Sequence, residues 1–257
     1  MASTHRRLAC VLTLGAVLCC NGCGCDNGVG FRLPEPAVRY VAFGDSATSG
    51  PSDKDYVDFL LESLGVPQAQ FANEGKSGET SGAGLDRLQT LVSRRVFPNA
   101  EVLLYWEGGN DVVDFLQEVD PLFLLSPDTA LYPYSKRLTE VLDDAQANIE
   151  AAIRIGKNAG MQVFVATYFP LKEFSINCDM LLLDVLLPAQ ADNANVYVTM
   201  LNERIRQAAA KEGAVLVDVA AQGATLQADP ANYFNCNHLS DRGNKIVARV
   251  FLDAINN

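Results

Sequence analysis

Basic residues are scarce in this chain of 257 amino acids. Lysine and arginine number 20 against 31 aspartates and glutamates, and the formal net charge is −11 at pH 7. Such a charge would repel a nucleic acid, because every phosphate of its backbone is negative. It also disfavours electrostatic attachment to an anionic membrane surface. The composition therefore argues against nucleic-acid partners and against membrane binding by charge alone.

Long apolar runs are also missing. The most extended one, residues 8–20, has 13 residues, whereas a helix that spans a bilayer needs about 20. It follows the basic residues Arg6 and Arg7 and precedes a small, polar stretch, which is the pattern of an export signal. A buried N-terminal helix would show a polar face, and this run has none. The sequence predicts an export signal over residues 1–22.

Cysteine is rare outside this segment. Five of the seven cysteines lie in or just after the predicted signal, and only Cys178 and Cys236 remain in the body of the chain. The crowding resembles a bacterial lipoprotein signal, in which a cysteine after a small residue is lipidated. Cys23 follows Gly22, although Cys20 stands where leucine is usual, so attachment through a lipidated Cys23 and simple secretion both stay open. Export makes a disulfide between Cys178 and Cys236 possible, with two free thiols as the alternative.

The remaining composition is that of a packed protein, with 49% hydrophobic and 20% charged residues. Residues 23–37 contain glycine and proline without an apolar period and are predicted to be a linker, and residues 38–257 to be one domain. Five short apolar runs in this domain are continuous rather than alternating, which is typical of strands covered on both faces. They are residues 38–43, 69–72, 102–106, 162–168 and 214–219.

Amphipathic helical patterns lie between these runs. They cover residues 55–64, 80–95, 136–159, about 196–212 and about 240–255. Strand and helix in alternation predict an α/β fold, a three-layer α/β/α sandwich with a five-stranded parallel sheet. Two apolar insertions, residues 112–134 and 171–195, follow the third and fourth strands. They are interpreted either as extra core helices or as a lip that covers substrate.

Histidine is scarce as well. Only two occur, and His5 belongs to the predicted signal, so His238 is the only one expected in the mature protein. One histidine among scattered carboxylates matches no zinc-ligand spacing, and the sequence predicts neither a metal nor another cofactor. A serine hydroxyl can act as a nucleophile when a base such as histidine takes its proton. Ser46, which directly follows the first predicted strand, supplies a hydroxyl, and His238 is the candidate base.

Four polar, glycine-rich segments are predicted at the carboxyl edge of the sheet, where open α/β sheets bind ligands. Gly44-Asp45-Ser46, residues 77–80, residues 108–111 and His238 resemble, in order and spacing, the four blocks of the SGNH (GDSL-type) hydrolase family. The resemblance extends over residues 38–255. It is to the compact members of the family, which are like thioesterases, lysophospholipases and arylesterases. It implies a flavodoxin-like fold and hydrolysis through an acyl-enzyme.

The resemblance also implies the role of each residue. Ser46 would be the nucleophile and His238 the base. The backbone N–H groups of Ser46 and Gly78 and the side-chain amide of Asn110 would form the oxyanion hole. Glycine lets the backbone approach a substrate closely, and an amide donates a hydrogen bond without bringing a charge.

One position departs from the family pattern. An aspartate normally stands three residues before the histidine, and this chain has Asn235 there. Asn235 could orient His238 through its side-chain oxygen, as a neutral residue does in Cys–His–Asn sites. Asp218 or Asp229 could take the role instead, or the serine and histidine could act as a dyad with a backbone carbonyl.

These observations predict an exported serine esterase that acts on a small or medium acyl ester, or a thioester. The alternative is a catalytically degenerate module of the same fold that binds an ester or a glycan, with Asn235 as the sign of decay. A small-molecule acyl ester is the expected partner, and nothing in the sequence indicates a protein partner.

Overall fold

A computed structural model describes residues 32–118, 135–174, 178 and 185–257. Its five strands form one parallel sheet in the order β2-β1-β3-β4-β5. They are β1 Tyr40–Gly44, β2 Phe71–Gly75, β3 Val102–Trp106, β4 Gln162–Ala166 and β5 Val215–Val217. This arrangement confirms the predicted fold class. In the strand register Gly44 lies opposite both Gly75 and Trp106, so the loops that follow β1, β2 and β3 start at the same edge of the sheet.

Helices cover both faces of this sheet. They are α1 Ser46–Ser49, α2 Tyr56–Leu64, α3 Ser81–Ser93, α4 Gly109–Glu118, α5 Ser135–Asn158, α6 Pro188–Glu212, α7 Gly223–Gln227 and α8 Asp241–Asn256. The buried side chains of α3, α5 and α6 share one hydrophobic core, and those of α2 and α8 share the other. Within the described ranges no helix is long and apolar enough to cross a lipid bilayer.

The strands contribute to both cores in turn. Leu103 and Tyr105 of β3 pack with α3 and α5, whereas Leu104 and Trp106 pack with α2 and α8. Successive side chains of a strand point to opposite faces, so a strand between two helical layers must be apolar throughout. This requirement explains why the predicted strands are continuous apolar runs.

Several predicted boundaries were wrong. Helix α6 begins at Pro188 rather than near residue 196, because a proline at the first turn of a helix starts it without loss of a hydrogen bond. The end of the predicted 171–195 insertion is therefore helical. Residues 112–118 of the other insertion belong to α4. Strand β2 continues to Gly75, three residues beyond its predicted end. Residues 119–134, 175–177 and 179–184 lie outside the described part of the chain.

The N-terminal predictions lie mostly outside the described residues. These are the export signal 1–22, Cys23 and most of the linker 23–37. The last six linker residues are described and contact the domain. Arg32 pairs with Glu74 at 2.6 Å, and the backbone N–H of Glu35 donates to the carbonyl of Val96 at 2.7 Å. Elsewhere in the fold, Cys178 and Cys236 form a disulfide across 58 residues of sequence.

Candidate active site

The turn after β1 holds Ser46 at the first position of α1. Asp45 is the N-cap of this helix, and its carboxylate Oδ1 accepts a hydrogen bond from the backbone N–H of Ala47 at 2.7 Å. The turn also needs glycine at position 44. A Cβ atom there would lie 2.2 Å from Thr48 Oγ1 and 2.4 Å from the carbonyl oxygen of Trp106. The Gly-Asp-Ser sequence is thus explained by packing, capping and placement of a hydroxyl at the edge of the sheet.

His238 bridges two side chains. Its Nε2 lies 2.9 Å from Ser46 Oγ, and its Nδ1 lies 3.0 Å from Asn235 Oδ1. The same oxygen accepts the backbone N–H groups of His238 at 2.8 Å and Asn237 at 3.1 Å, which identifies it as the acceptor end of the amide. Nδ1 must therefore donate, and in the neutral imidazole Nε2 is left to accept the proton of Ser46.

The two carboxylates that competed with Asn235 are engaged elsewhere. Asp218 accepts hydrogen bonds from Thr167 and from Arg206, both at 2.9 Å. Asp229 caps the backbone N–H of Ala231 at 2.9 Å and pairs with Arg242 at 2.9 Å. The structure thus places Asn235 against the imidazole.

The residues predicted for the oxyanion hole lie in one cleft together with Ser46 and His238. Gly78 has a φ of +77°, a backbone conformation that side-chain-bearing residues rarely adopt. The side-chain Nδ2 of Asn110 donates to the carbonyl of Glu79 at 2.9 Å. A primary amide carries two N–H groups, so this bond fixes the orientation of Asn110 and leaves the second N–H for a substrate. The sequence-predicted site residues are all brought together.

A group of buried acids beneath the nucleophile was missed by the sequence analysis. Tyr168, which follows β4, donates its hydroxyl to Asp45 Oδ2 at 2.6 Å. Burial raises the pKa of Asp45 to about 7, although this hydrogen bond favours the ionised form. Glu107 is 1% exposed, and burial beside Asp45 raises the pKa of its carboxyl well above the usual range. No sequence signal identified Tyr168, since a tyrosine after an apolar strand is common in any core.

Two further acids hold the loops in place. Glu79 is buried and accepts hydrogen bonds from Arg87 Nε at 3.0 and 2.9 Å. Asp111 accepts from both the backbone N–H and the hydroxyl of Ser81 at 2.7 Å, which joins the start of α3 to α4. In the described part of the chain, no group of three or more histidine, cysteine, aspartate or glutamate side chains could hold a metal ion.

A serine hydroxyl hydrogen-bonded to an oriented imidazole, at the carboxyl edge of a parallel sheet, is the apparatus of ester-hydrolysing serine hydrolases. The family model of the GDSL-like lipase/acylhydrolase family matches residues 42–246. The chain belongs to this family and is an ester-hydrolysing serine hydrolase. The family resemblance seen in the sequence is thereby confirmed. Comparison with curated protein sequences found no match.

Solved structures with the same fold include several of this family. A lipolytic G-D-S-L family protein from Veillonella parvula has a TM-score of 0.58 and 19% identity, over 85% of this chain and 98% of its own. A GDSL-like lipase from Bacteroides thetaiotaomicron has a TM-score of 0.55 and 18% identity, with 90% and 93% covered. An acetylxylan esterase from Geobacillus stearothermophilus has a TM-score of 0.57 and 17% identity, with 86% and 95% covered. At these identities the similarity shows a shared fold.

Proposed function

We propose that the protein is an exported serine esterase that hydrolyses a small or medium acyl ester, or a thioester, through an acyl-enzyme on Ser46. The contact that carries this proposal is the 2.9 Å approach of His238 Nε2 to Ser46 Oγ, with Nδ1 held by Asn235. A nucleophile already hydrogen-bonded to a correctly oriented base supports hydrolysis rather than a module that only binds esters.

The proposed reaction has two halves. Ser46 Oγ attacks the carbonyl carbon while its proton passes to His238 Nε2, and the carbonyl oxygen becomes an oxyanion. The N–H groups of Ser46, Gly78 and Asn110 donate to that oxyanion. When the tetrahedral intermediate collapses, the bond to the alcohol breaks and the alcohol takes the proton from Nε2.

The second half releases the acid. Water attacks the acyl-enzyme while His238 accepts a proton from it, and the new tetrahedral intermediate expels Ser46 Oγ, which recovers its proton from Nε2. Asn235 keeps Nδ1 protonated throughout, so that Nε2 is always the nitrogen that exchanges the proton. It brings no negative charge to stabilise the imidazolium.

Export is supported by two independent features. One is the basic and apolar N-terminal pattern, and the other is the disulfide between Cys178 and Cys236, since structural disulfides persist in oxidising compartments. We include attachment through a lipidated Cys23 in the proposal. Expression of the full chain in a bacterial host, followed by mass analysis of the membrane fraction, should find a lipidated N-terminal Cys23. Recovery of an unmodified soluble chain would reject the anchor, and Cys23→Ser is the control.

Covalent labelling tests the nucleophile. A fluorophosphonate should modify Ser46, and Ser46→Ala should abolish both labelling and hydrolysis of p-nitrophenyl esters. Ser49→Ala is a matched control, because Ser49 lies on the same short helix and its hydroxyl contacts Ser77. A label on another residue, or full esterase activity in Ser46→Ala, would contradict the assignment.

A further inference from the structure

Two spaces of different character meet at Ser46. The first, here the inner cavity, lies between α4 and α6 and has a volume of about 70 Å³. Its walls include Val113 and Leu116 of α4 and Ala194 and Leu201 of α6. Leu116, Ala194 and Leu201 are buried and, unlike Ser46, do not border the second space described below, and we call them the deep end of the cavity.

The second space, here the outer cleft, is wider and open to solvent, with a volume of about 280 Å³. It is lined by polar groups that include Ser77, Gln117 and His238. Four residues border both spaces: Ser46, Asn110, Val113 and Asn237. When the carbonyl carbon of an ester is bound at Ser46, one of its two substituents therefore points into the inner cavity and the other into the outer cleft.

The position of His238 decides which substituent goes where. In the first half-reaction the imidazole must protonate the departing alcohol, so the alcohol oxygen has to lie on the side of Nε2. His238 lines the outer cleft and is not among the residues around the inner cavity. The alcohol therefore belongs in the polar cleft, and the acyl chain belongs in the apolar cavity.

On this basis we infer that the inner cavity is the acyl-chain site and that the preferred substrates are esters of about four- to six-carbon acids with a polar alcohol. This inference rests on the proposed function. A water-sized group needs about 10–15 Å³ of cavity, so a cavity of about 70 Å³ accepts about five to seven such groups. The alkyl parts of butyrate and hexanoate both fit within this limit, whereas that of decanoate exceeds it. An acetyl group would leave most of the apolar cavity unused.

Two isomeric esters test the direction of binding. Ethyl butyrate and butyl acetate contain the same atoms and differ only in which side of the ester carries the longer chain. Ethyl butyrate should have the higher kcat/KM, by roughly tenfold or more, since each methylene that enters an apolar site is worth roughly fourfold. A preference for butyl acetate would overturn the inference, because the alkyl alcohol would then occupy the inner cavity.

Variants at the deep end test the length of the site. Ala194→Leu should fill the cavity and lower the ratio of hexanoate to acetate hydrolysis by roughly tenfold. Leu116→Ala should enlarge it and move the preferred chain length to longer acids. Leu91→Ala is the matched control, because Leu91 of α3 is equally buried but does not line the cavity. It should leave the ratio unchanged even if it lowers stability.

The outcomes separate this inference from the proposed function. If the wild-type protein hydrolyses esters but its chain-length profile is flat, is highest at acetate, or ignores both variants, the acyl-site inference is wrong and the esterase stands. If the wild-type protein hydrolyses none of these esters and Ser46 takes no fluorophosphonate, the proposed function itself fails. A profile that rises to hexanoate, falls for decanoate and shifts in opposite directions in the two variants supports the inference.

Discussion

Replacing Asn235 with aspartate should move the acidic limb of the kcat/KM profile to higher pH and raise kcat. The side-chain oxygen at position 235 lies 3.0 Å from His238 Nδ1. A carboxylate there would favour the protonated imidazole, and two charges about 4 Å apart in a partly buried site interact by about 4 kcal/mol. Asn235 is 5% exposed, so burial of the new charge would cancel part of this. The expected displacement is about 1 to 2 pH units.

The direction of the shift in the acidic limb follows from the role of His238 as the base. Activity needs neutral His238 in the free enzyme and is lost as pH falls through its titration. Stabilising the protonated form shifts that loss to higher pH. The same charge stabilises the imidazolium that forms during attack, so kcat on the alkaline plateau should increase.

Asn235→Ala tests orientation alone. It removes the acceptor of three N–H groups, and we expect kcat to fall by roughly 10²-fold, less than the roughly 10⁴-fold seen when a charged triad member is lost. Initial rates with a soluble ester, measured from roughly pH 4 to 9, give the acidic and the alkaline limb of the kcat/KM profile. Asp218→Asn is the control, since it removes the negative charge that pairs with Arg206 and should not move the limb. Wild-type kcat in Asn235→Ala, or an unmoved limb in the aspartate variant, would refute this reasoning.

Three further outcomes are expected. Asn110→Ala should lower kcat by roughly 10²- to 10³-fold with a smaller change in KM, and a rise in KM alone would make Asn110 a positioning residue. Reduction of the Cys178–Cys236 disulfide should cost about 4 kcal/mol of unfolding free energy, measured by urea titration with and without reductant, and equal midpoints would contradict it. Burial raises the pKa of Asp45 to about 7 and of Asp55 to about 6, so the folded state holds protons that the unfolded chain releases. The free energy of unfolding should therefore fall as pH rises from about 4 to about 7. Asp45→Asn should flatten that decline, and an unchanged slope of the urea midpoint against pH would argue against it.

Where a single physical signal dominates, the sequence was sufficient to predict an element. The stripe of apolar residues over 136–159 predicted α5 to within one residue at each end, because only one face of that helix meets the core. The central residues of the strands were predicted because a strand covered by helices on both faces is a continuous apolar run. Strand β2 was cut short because Asn73-Glu74-Gly75 is polar and typical of a loop, yet it pairs with β1 at the sheet edge, where side chains meet solvent.

The candidate site was likewise predicted in part. The order of the motifs was enough to predict that Ser46, Gly78, Asn110 and His238 lie in one cleft. The choice between Asn235 and its carboxylate rivals depended on which side chains other residues had already engaged, and that is a tertiary property. The shape of the inner cavity could not be predicted, although Val113, Leu116 and Ala194 of its walls come from the two insertions that were interpreted as core helices or as a lip over substrate.

The crowding around Gly44 has a consequence for how the chain can evolve. A substitution at Gly44 would have to displace the backbone carbonyl of Trp106, so a saturation library selected for activity should return glycine alone. Gly78 is under a different constraint, because no described atom lies within 4 Å of the place a side chain would occupy, and its positive φ rather than crowding disfavours other residues. Asparagine tolerates that conformation, so the library at position 78 should return it beside glycine. Gly44 should therefore accept no substitution during evolution, whereas Gly78 should accept asparagine.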